Sequence, residues 1–342
     1  MTALDLTHGA VGGSATTRAR DPVIDAMRGI AILMVIGIHS LPRADDSALV
    51  IAIDAALRPC VPAFLFASGY LTARAGDVPL TKRVARSLGP YTVAFVAAYL
   101  FMAVQNPLMD HRPALILARY GLAYIFVYYY VFVYISCTVL LWLAVKIAGR
   151  DRQRLIALLN LAIVAGLTIG AYLDPLLQRL GLPPALIEEA RMRDLPFWFG
   201  FMAAGAIVGS LGIERLLREQ RWLLLAIAVI AYAAYASVRI FKLGDAADYD
   251  SIAFFLYALL FCLAGLALAP RSPMLAFLGA ASYAIYLWHI FAILVLRALL
   301  APLQQPVAAS LIEYAGGLAF ALLIVLAARS IRMPRLAQWL GT

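Results

Sequence analysis

The sequence predicts an all-α, polytopic membrane protein with about ten transmembrane helices and both termini on the cytoplasmic side. Three observations carry that prediction. Hydrophobic residues make up 64% of the 342-residue chain and charged residues only 14%, whereas soluble domains hold about 25% charged residues. Apolar runs long enough to cross a bilayer core of roughly 30 Å recur between residues 22 and 328. The net charge of +9 is gathered in short connections between those runs. That distribution follows the positive-inside rule for cytoplasmic loops, so it points to lipid and away from nucleic acid. The mean hydropathy of +0.88 agrees.

The runs fall at about 22–41, 48–72, 84–105, 127–147, 155–172, 196–212, 222–241, 251–269, 274–297 and 308–328. Pro59 and Pro62 are expected to kink the second. Residues 106–124 read as an outer loop with a short interfacial segment, and 173–195 as a polar outer loop. Arg18, Arg74, Arg83, Arg150, Arg218 and Arg329 fall on one side of the spans, and Arg43, Arg112, Arg179 and Lys242 on the other. The first side is the richer and is read as cytoplasmic. Residues 1–21 have no apolar core, so they read as a flexible cytoplasmic tail and not as a signal peptide. Residues 22–328 form the ten-helix domain. Residues 329–342 read as a basic cytoplasmic tail whose Trp339 lies along the membrane surface. Cys60, Cys137 and Cys262 sit inside apolar runs at unrelated spacings and form neither a disulfide framework nor a metal site. Gly205 and Gly209 form a small-xxx-small pattern for close helix packing.

The first span carries three ionisable residues that apolar helices normally avoid: Asp25, Arg28 and His39. Arg28 and His39 are eleven residues apart, which is three turns plus roughly 20° of an α-helix and roughly 16 Å along its axis. Asp25 is three residues before Arg28 and joins the same stripe. Ionisable groups at membrane depth face a cavity or a partner, so His39 is the candidate for chemistry. Arg83 and Arg86 share a face at the start of the third span. Two guanidinium forks side by side suit a phosphate, yet any cytoplasmic helix end also collects arginines. Ser282, Tyr286 and His289 fall at i, i+4 and i+7 and make a polar stripe in the ninth span. That stripe fits a polar ligand or interhelical hydrogen bonds. Asp54 and Arg58 are four apart in the second span and can pair there. Ser68-Gly69-Tyr70 closes that span, where Gly69 ends the helix or lets a ligand approach the backbone.

Taken together, these segments resemble the acyltransferase 3 family of membrane-bound acyltransferases. The resemblance rests on Asp25-Ala26-Met27-Arg28-Gly29-Ile30-Ala31 with His39 following, on Ser68-Gly69-Tyr70-Leu71, on Arg83-Val84-Ala85-Arg86, and on the 282–289 run. It spans about 22–328. Residues 61–67 are less aromatic than is usual in that family, and the start of the fourth span lacks a tryptophan often found there. These departures bear on the acceptor and not on the reaction type.

The resemblance implies a multi-pass enzyme of the cell (inner) membrane. It would move an acyl group, such as acetyl, from cytoplasmic acyl-coenzyme A to a hydroxyl of an extracytoplasmic acceptor, a surface glycan by analogy. No metal is implied. His39 would be catalytic, as a base or as a transient acyl carrier. Arg28, Arg83, Arg86, Ser68, Gly69 and Tyr70 would hold the donor, and Asp25, Asp54, Arg58, Ser282, Tyr286 and His289 the acceptor side. The rival is a transporter or flippase for glycan or lipid-linked glycan, which ten spans with Gly and Pro breaks also suit. Thioester cleavage separates the two.

Overall fold

The structure is a computed structural model that describes residues 20–42, 45–243, 251–301, 305–330 and 334–342. The expected N-terminal tail, with His8 and Arg18, lies outside the described residues except for its last two positions, and Arg43 also lies outside them. Among the described residues there are helices and no strands. In chain order the helices are α1 (Pro22–Ser40), α2 (Ala48–Leu57), α3 (Cys60–Ala75), α4 (Leu80–Gln105), α5 (Pro113–Gly121), α6 (Tyr129–Ala148), α7 (Arg152–Arg179) and α8 (Pro184–Met192). They continue with α9 (Leu195–Leu211), α10 (Glu214–Glu219), α11 (Arg221–Ile240), α12 (Ile252–Leu268), α13 (Pro273–Ala280), α14 (Ser282–Leu300), α15 (Pro306–Ser330) and α16 (Pro334–Trp339). Nine segments among the described residues are long and apolar enough to cross a membrane. The 17-residue apolar α12 occupies the position of the eighth predicted span.

Local chemistry sets the ends. Asp21 caps α1 by accepting from the backbone N–H of Val23 (3.0 Å) and Ile24 (3.3 Å), with Pro22 in the first turn where no N–H is needed. The second span breaks at Pro59 into α2 and α3. Pro62 makes no separate kink, because it falls in the first turn of α3, where its missing N–H has no intrahelical partner to lose. Gly69 does not end that helix. Gly76 does, at φ +71°, with its N–H shared between the carbonyls of Thr72 and Ala73.

Two differences from the predicted spans have identifiable causes. The fifth span, α7, runs on to Arg179, through Pro175, into the stretch read as loop. Asp174, a charge that suggested solvent, is buried and pairs with Arg191 of α8. The ninth span is two helices, α13 and α14, with the break at Ala281. The break lets α13 cross α1 at backbone contact. A Cβ on Gly279 would overlap the carbonyl oxygen of Asp25, and one on Gly29 would overlap that of Leu275.

Helix α1 is central, packed by α3, α13, α14 and α15. The α3–α9 crossing is equally close: Gly69 meets the Met202 carbonyl and Gly205 the Phe66 carbonyl. The expected small-residue packing through Gly205 and Gly209 is present there. An aromatic core of Phe197, Trp198, Phe201 and Phe254 fills the space beside it. Peripheral helices expose their large apolar side chains, including Leu161 and Val164 on α7 and Val229 and Ile230 on α11. That is the arrangement expected of faces turned to lipid. The C-terminal segment does not lie loose. Trp339 packs beside Gly89 of α4, and the Leu340 carbonyl accepts from the Trp288 indole N–H of α14 at 3.3 Å.

Candidate active site

Helices α1, α3, α4, α6 and α14 enclose a cavity of about 430 Å³. Their connections make α1, α4 and α14 run one way and α3 and α6 the other, and this fixes what sits at each end. Arg28, Arg83, Arg86, Ser87 and Ser282 line one end. Val35, Val61, Phe64 and Val131 line the other, with Tyr130, Tyr134 and Tyr286 on the walls. The cavity is therefore basic at one end and apolar at the other, and no carboxylate lines it.

At the basic end, Arg28 donates from Nη2 to Ser282 Oγ (3.0 Å), while its Nη1 lies 3.5 Å from Asp25 Oδ1. The break before α14 makes this contact possible, because it places Ser282 at the first residue of that helix. Arg83 and Arg86 have no ion-pair partner among the described residues. The Arg83 Nη1 is buried without any hydrogen-bond acceptor, a costly state for a charged donor. An anion with several oxygens is the chemistry such a cluster accepts.

His39 stands one turn beyond Val35 on α1, past the apolar end. It is half-buried, and its ring faces that of the fully buried His289 with centroids 5.5 Å apart. The His289 Nδ1 lies 3.0 Å from the carbonyl oxygen of Ile285. A carbonyl only accepts, so Nδ1 carries the proton and Nε2 the lone pair. Beyond His39, Arg297 of α14 donates from Nη2 to the His39 carbonyl (2.6 Å) and pairs with Glu313 of α15 (Nε–Oε2 3.0 Å). These two residues, with Ser40, Asp45, Asp46 and Gln305, line a second cavity of about 650 Å³.

The structure thus brings Arg28, Ser68, Arg83, Arg86, Ser282 and Tyr286 together on one cavity, with Asp25 3.5 Å from Arg28 but not on the lining, and His39 and His289 past the apolar end. Gly69, Tyr70, Asp54 and Arg58 do not line it. Tyr70 donates to Glu214 Oε1 at 2.7 Å, beside α10. Asp54 accepts from Arg58 at 2.7 Å and from Arg239 of α11 at 2.5 Å, a pairing that ties the end of α2 to α11. The Tyr286 hydroxyl donates to the Val127 carbonyl (2.7 Å), so its ring faces the cavity while its polar tip is engaged. Among the described residues no group of three His, Cys, Asp or Glu side chains is placed to hold a metal ion.

Sequence reasoning missed Tyr130, Tyr134 and Tyr283 as cavity residues and the Arg297–Glu313 pair behind His39. The pair did leave a signal: one arginine and one glutamate, each alone in consecutive apolar spans. Two isolated opposite charges at membrane depth are best satisfied by each other.

No curated protein and no solved structure matches the chain. A family model described as an acyltransferase domain, that of the acyltransferase 3 family, matches residues 21–329, which contain every helix that lines the cavity. By that match, and as a helical protein with at least nine apolar spans, the chain belongs to the acyltransferase 3 family of membrane acyltransferases.

Proposed function

We propose that this membrane acyltransferase takes an acyl group, such as acetyl, from acyl-coenzyme A and places it on a hydroxyl of an acceptor at the opposite membrane face, a surface glycan. The donor phosphates and ribose lie at the basic end, on Arg28, Arg83 and Arg86. The thioester extends toward the apolar end. Arg28 and His39 are separated by roughly 16 Å along the helix axis, a span that an extended pantetheine arm covers. His39 removes the proton from the acceptor hydroxyl as the oxygen attacks the thioester carbon. The Arg297 bond to the His39 carbonyl and the Glu313 pair hold the end of α1, and hence the imidazole, in place.

One observation carries this reading. Three guanidinium groups with spare donors converge at one end of a cavity whose other end lies one turn short of an intramembrane histidine. A transporter needs no such polarity along a single cavity. The protein resides in the bacterial inner membrane, with the arginine end facing the cytoplasm where acyl-coenzyme A is made.

The test is direct. Purified protein in detergent, given acetyl-coenzyme A and the host's envelope fraction, should release free thiol above a protein-free control. Surface glycans should lose ester-linked acetyl mass when the chain is deleted. Absence of both outcomes would sink the reading and favour the transporter. A burst of coenzyme A release without acceptor would instead assign His39 the covalent route.

A further inference from the structure

We propose that His289 is the proton-sharing partner of His39 during acyl transfer. The inference rests on the acyltransferase reading above and names a second working residue in it.

The argument begins with an orphan. His289 is wholly buried, and its Nε2 has no hydrogen-bond partner. Its Nδ1 is turned back onto its own helix by the Ile285 carbonyl. That bond fixes the tautomer and turns the Nε2 lone pair outward, away from the α14 backbone. A buried acceptor left empty is costly in a membrane interior. A histidine serving only to fill space has no need of that cost, since leucine fills a similar volume. The neighbour across the helix interface is the His39 imidazole of α1. The centroids are 5.5 Å apart and the rings are tilted by 35°. Two imidazoles joined by an N–H···N bond of about 3 Å have centres roughly 5 Å apart. The observed ring separation is within about half an ångström of that value.

The chemistry requires such a partner. The acceptor O–H bond breaks and its oxygen bonds the acyl carbon. The C–S bond of the thioester then breaks. The proton leaves on His39 and ends on the sulfur of the departing coenzyme A, so the balance needs no other reactant. In between, an imidazolium exists against the fully buried His289 ring, where an isolated cation is disfavoured. Arg297 donates to the His39 backbone carbonyl and is itself matched by Glu313. His289 Nε2 is a neutral acceptor on the ring that faces His39. Accepting the imidazolium N–H spreads the charge over two rings without adding a second one. The Ile285 bond keeps Nδ1–H donated throughout, so the lone pair stays available.

The experiment compares two substitutions in the full chain, purified in detergent and supplied with acetyl-coenzyme A and host envelope fraction. His289→Gln keeps an acceptor oxygen but no titrating nitrogen. His289→Leu keeps the volume and removes the acceptor. Turnover is expected to fall about 10-fold in the first and about 100-fold or more in the second, the range for hydrogen bonds to charged groups. The dissociation constant for acetyl-coenzyme A should stay within about 3-fold in both, and the leucine variant should melt no lower than the glutamine one. A packing role gives the reverse order, because leucine suits an apolar interior better than an amide. Turnover in the leucine variant equal to or above that of the glutamine variant overturns the proposal. So does a loss of turnover that tracks a loss of donor affinity, which would make His289 a donor contact. If the unsubstituted protein itself releases no thiol, the acyltransfer reading fails and this inference with it. Activity lost in His39→Gln but normal in His289→Leu removes the partner role alone.

Discussion

The two ends of α1 hold the same kinds of charged residue in opposite states. At the His39 end, charges are matched. Arg297 pairs with Glu313, and Asp54 is held by both Arg58 and Arg239. At the Arg28 end, Arg83 and Arg86 line a cavity without ion-pair partners among the described residues, and a buried Arg83 nitrogen has no acceptor there. Arg28 stands between the two cases, bonded to Ser282 and 3.5 Å from Asp25. A matched intramembrane charge ties helices together. An unmatched one that lines a cavity waits for a ligand. The difference separates structural from functional charges more sharply than any single motif does.

The largest effect should come from His39, at the matched end of α1. His39→Gln keeps a hydrogen-bonding side chain but cannot accept and release a proton. It is expected to lower transfer by about 10³-fold or more while leaving donor binding nearly intact. Near-normal transfer in a correctly inserted His39→Gln protein would make His39 one more structural polar group. Orientation is an all-or-none check of the same comparison. The external reagent should label a cysteine at exposed Gln178 and miss one at exposed Gln153. The reverse pattern would put the arginine cavity on the wrong face for cytoplasmic acyl-coenzyme A.

Next in size are the arginines. Arg83→Ala or Arg86→Ala should weaken acetyl-coenzyme A binding by about 10- to 100-fold, as expected for a lost charge-assisted hydrogen bond. Arg86→Lys should recover only part, because an ammonium lacks the planar fork. Titration calorimetry on detergent-purified protein reads this. Unchanged affinity in the double alanine variant would return both residues to the positive-inside pattern. The pair at the His39 end should behave oppositely. Glu313→Gln strands Arg297 in a largely buried site and should cost about 3 kcal/mol of stability, seen as a lower melting temperature. Donor affinity should not change. A variant that melted normally but lost donor binding would erase the contrast between the two ends.

Much of this was legible in the sequence, and the reasons are physical. The spans were readable because a helix in lipid must be apolar for its whole length. The Arg28–His39 face was readable because both residues lie on one helix with fixed pitch. The Asp54–Arg58 pair followed from its spacing, but its third member, Arg239, comes from another helix and leaves no local trace. The same holds for Tyr134 and Tyr283, whose place on the cavity wall depends on how helices rotate when packed. Gly69 was read as a helix end or a ligand contact. It lies at a helix crossing whose partner carbonyl, that of Met202, is more than a hundred residues away. The end of α7 was missed because Asp174 and Pro175 both argue for a loop in isolation. The Arg191 partner that buries Asp174 belongs to the next helix.

The smallest expected effect lies outside the membrane, where a matched charge meets water. Glu214, at the start of α10, accepts from the Tyr70 hydroxyl at 2.7 Å and from Arg74 at 3.2 Å. Burial alone would raise its carboxyl. The Tyr70 bond, its own backbone N–H and the cations Arg74 and Arg218 outweigh that and hold it below its ordinary value. The folded protein therefore favours the ionised form more than the unfolded chain does. Its contribution to stability is present above the unfolded value of about 4.3 and is lost as pH falls through the folded one. Glu214→Gln should lower stability at pH 7 by under about 1 kcal/mol, because a pair at the protein surface is screened by solvent. The gap between the two proteins should narrow as pH falls below about 4. Thermal melts of both proteins in detergent across that range measure it. A gap that stays constant with pH would mean the carboxylate charge contributes nothing there, and that Tyr70 and Glu214 are joined by shape and a neutral hydrogen bond alone.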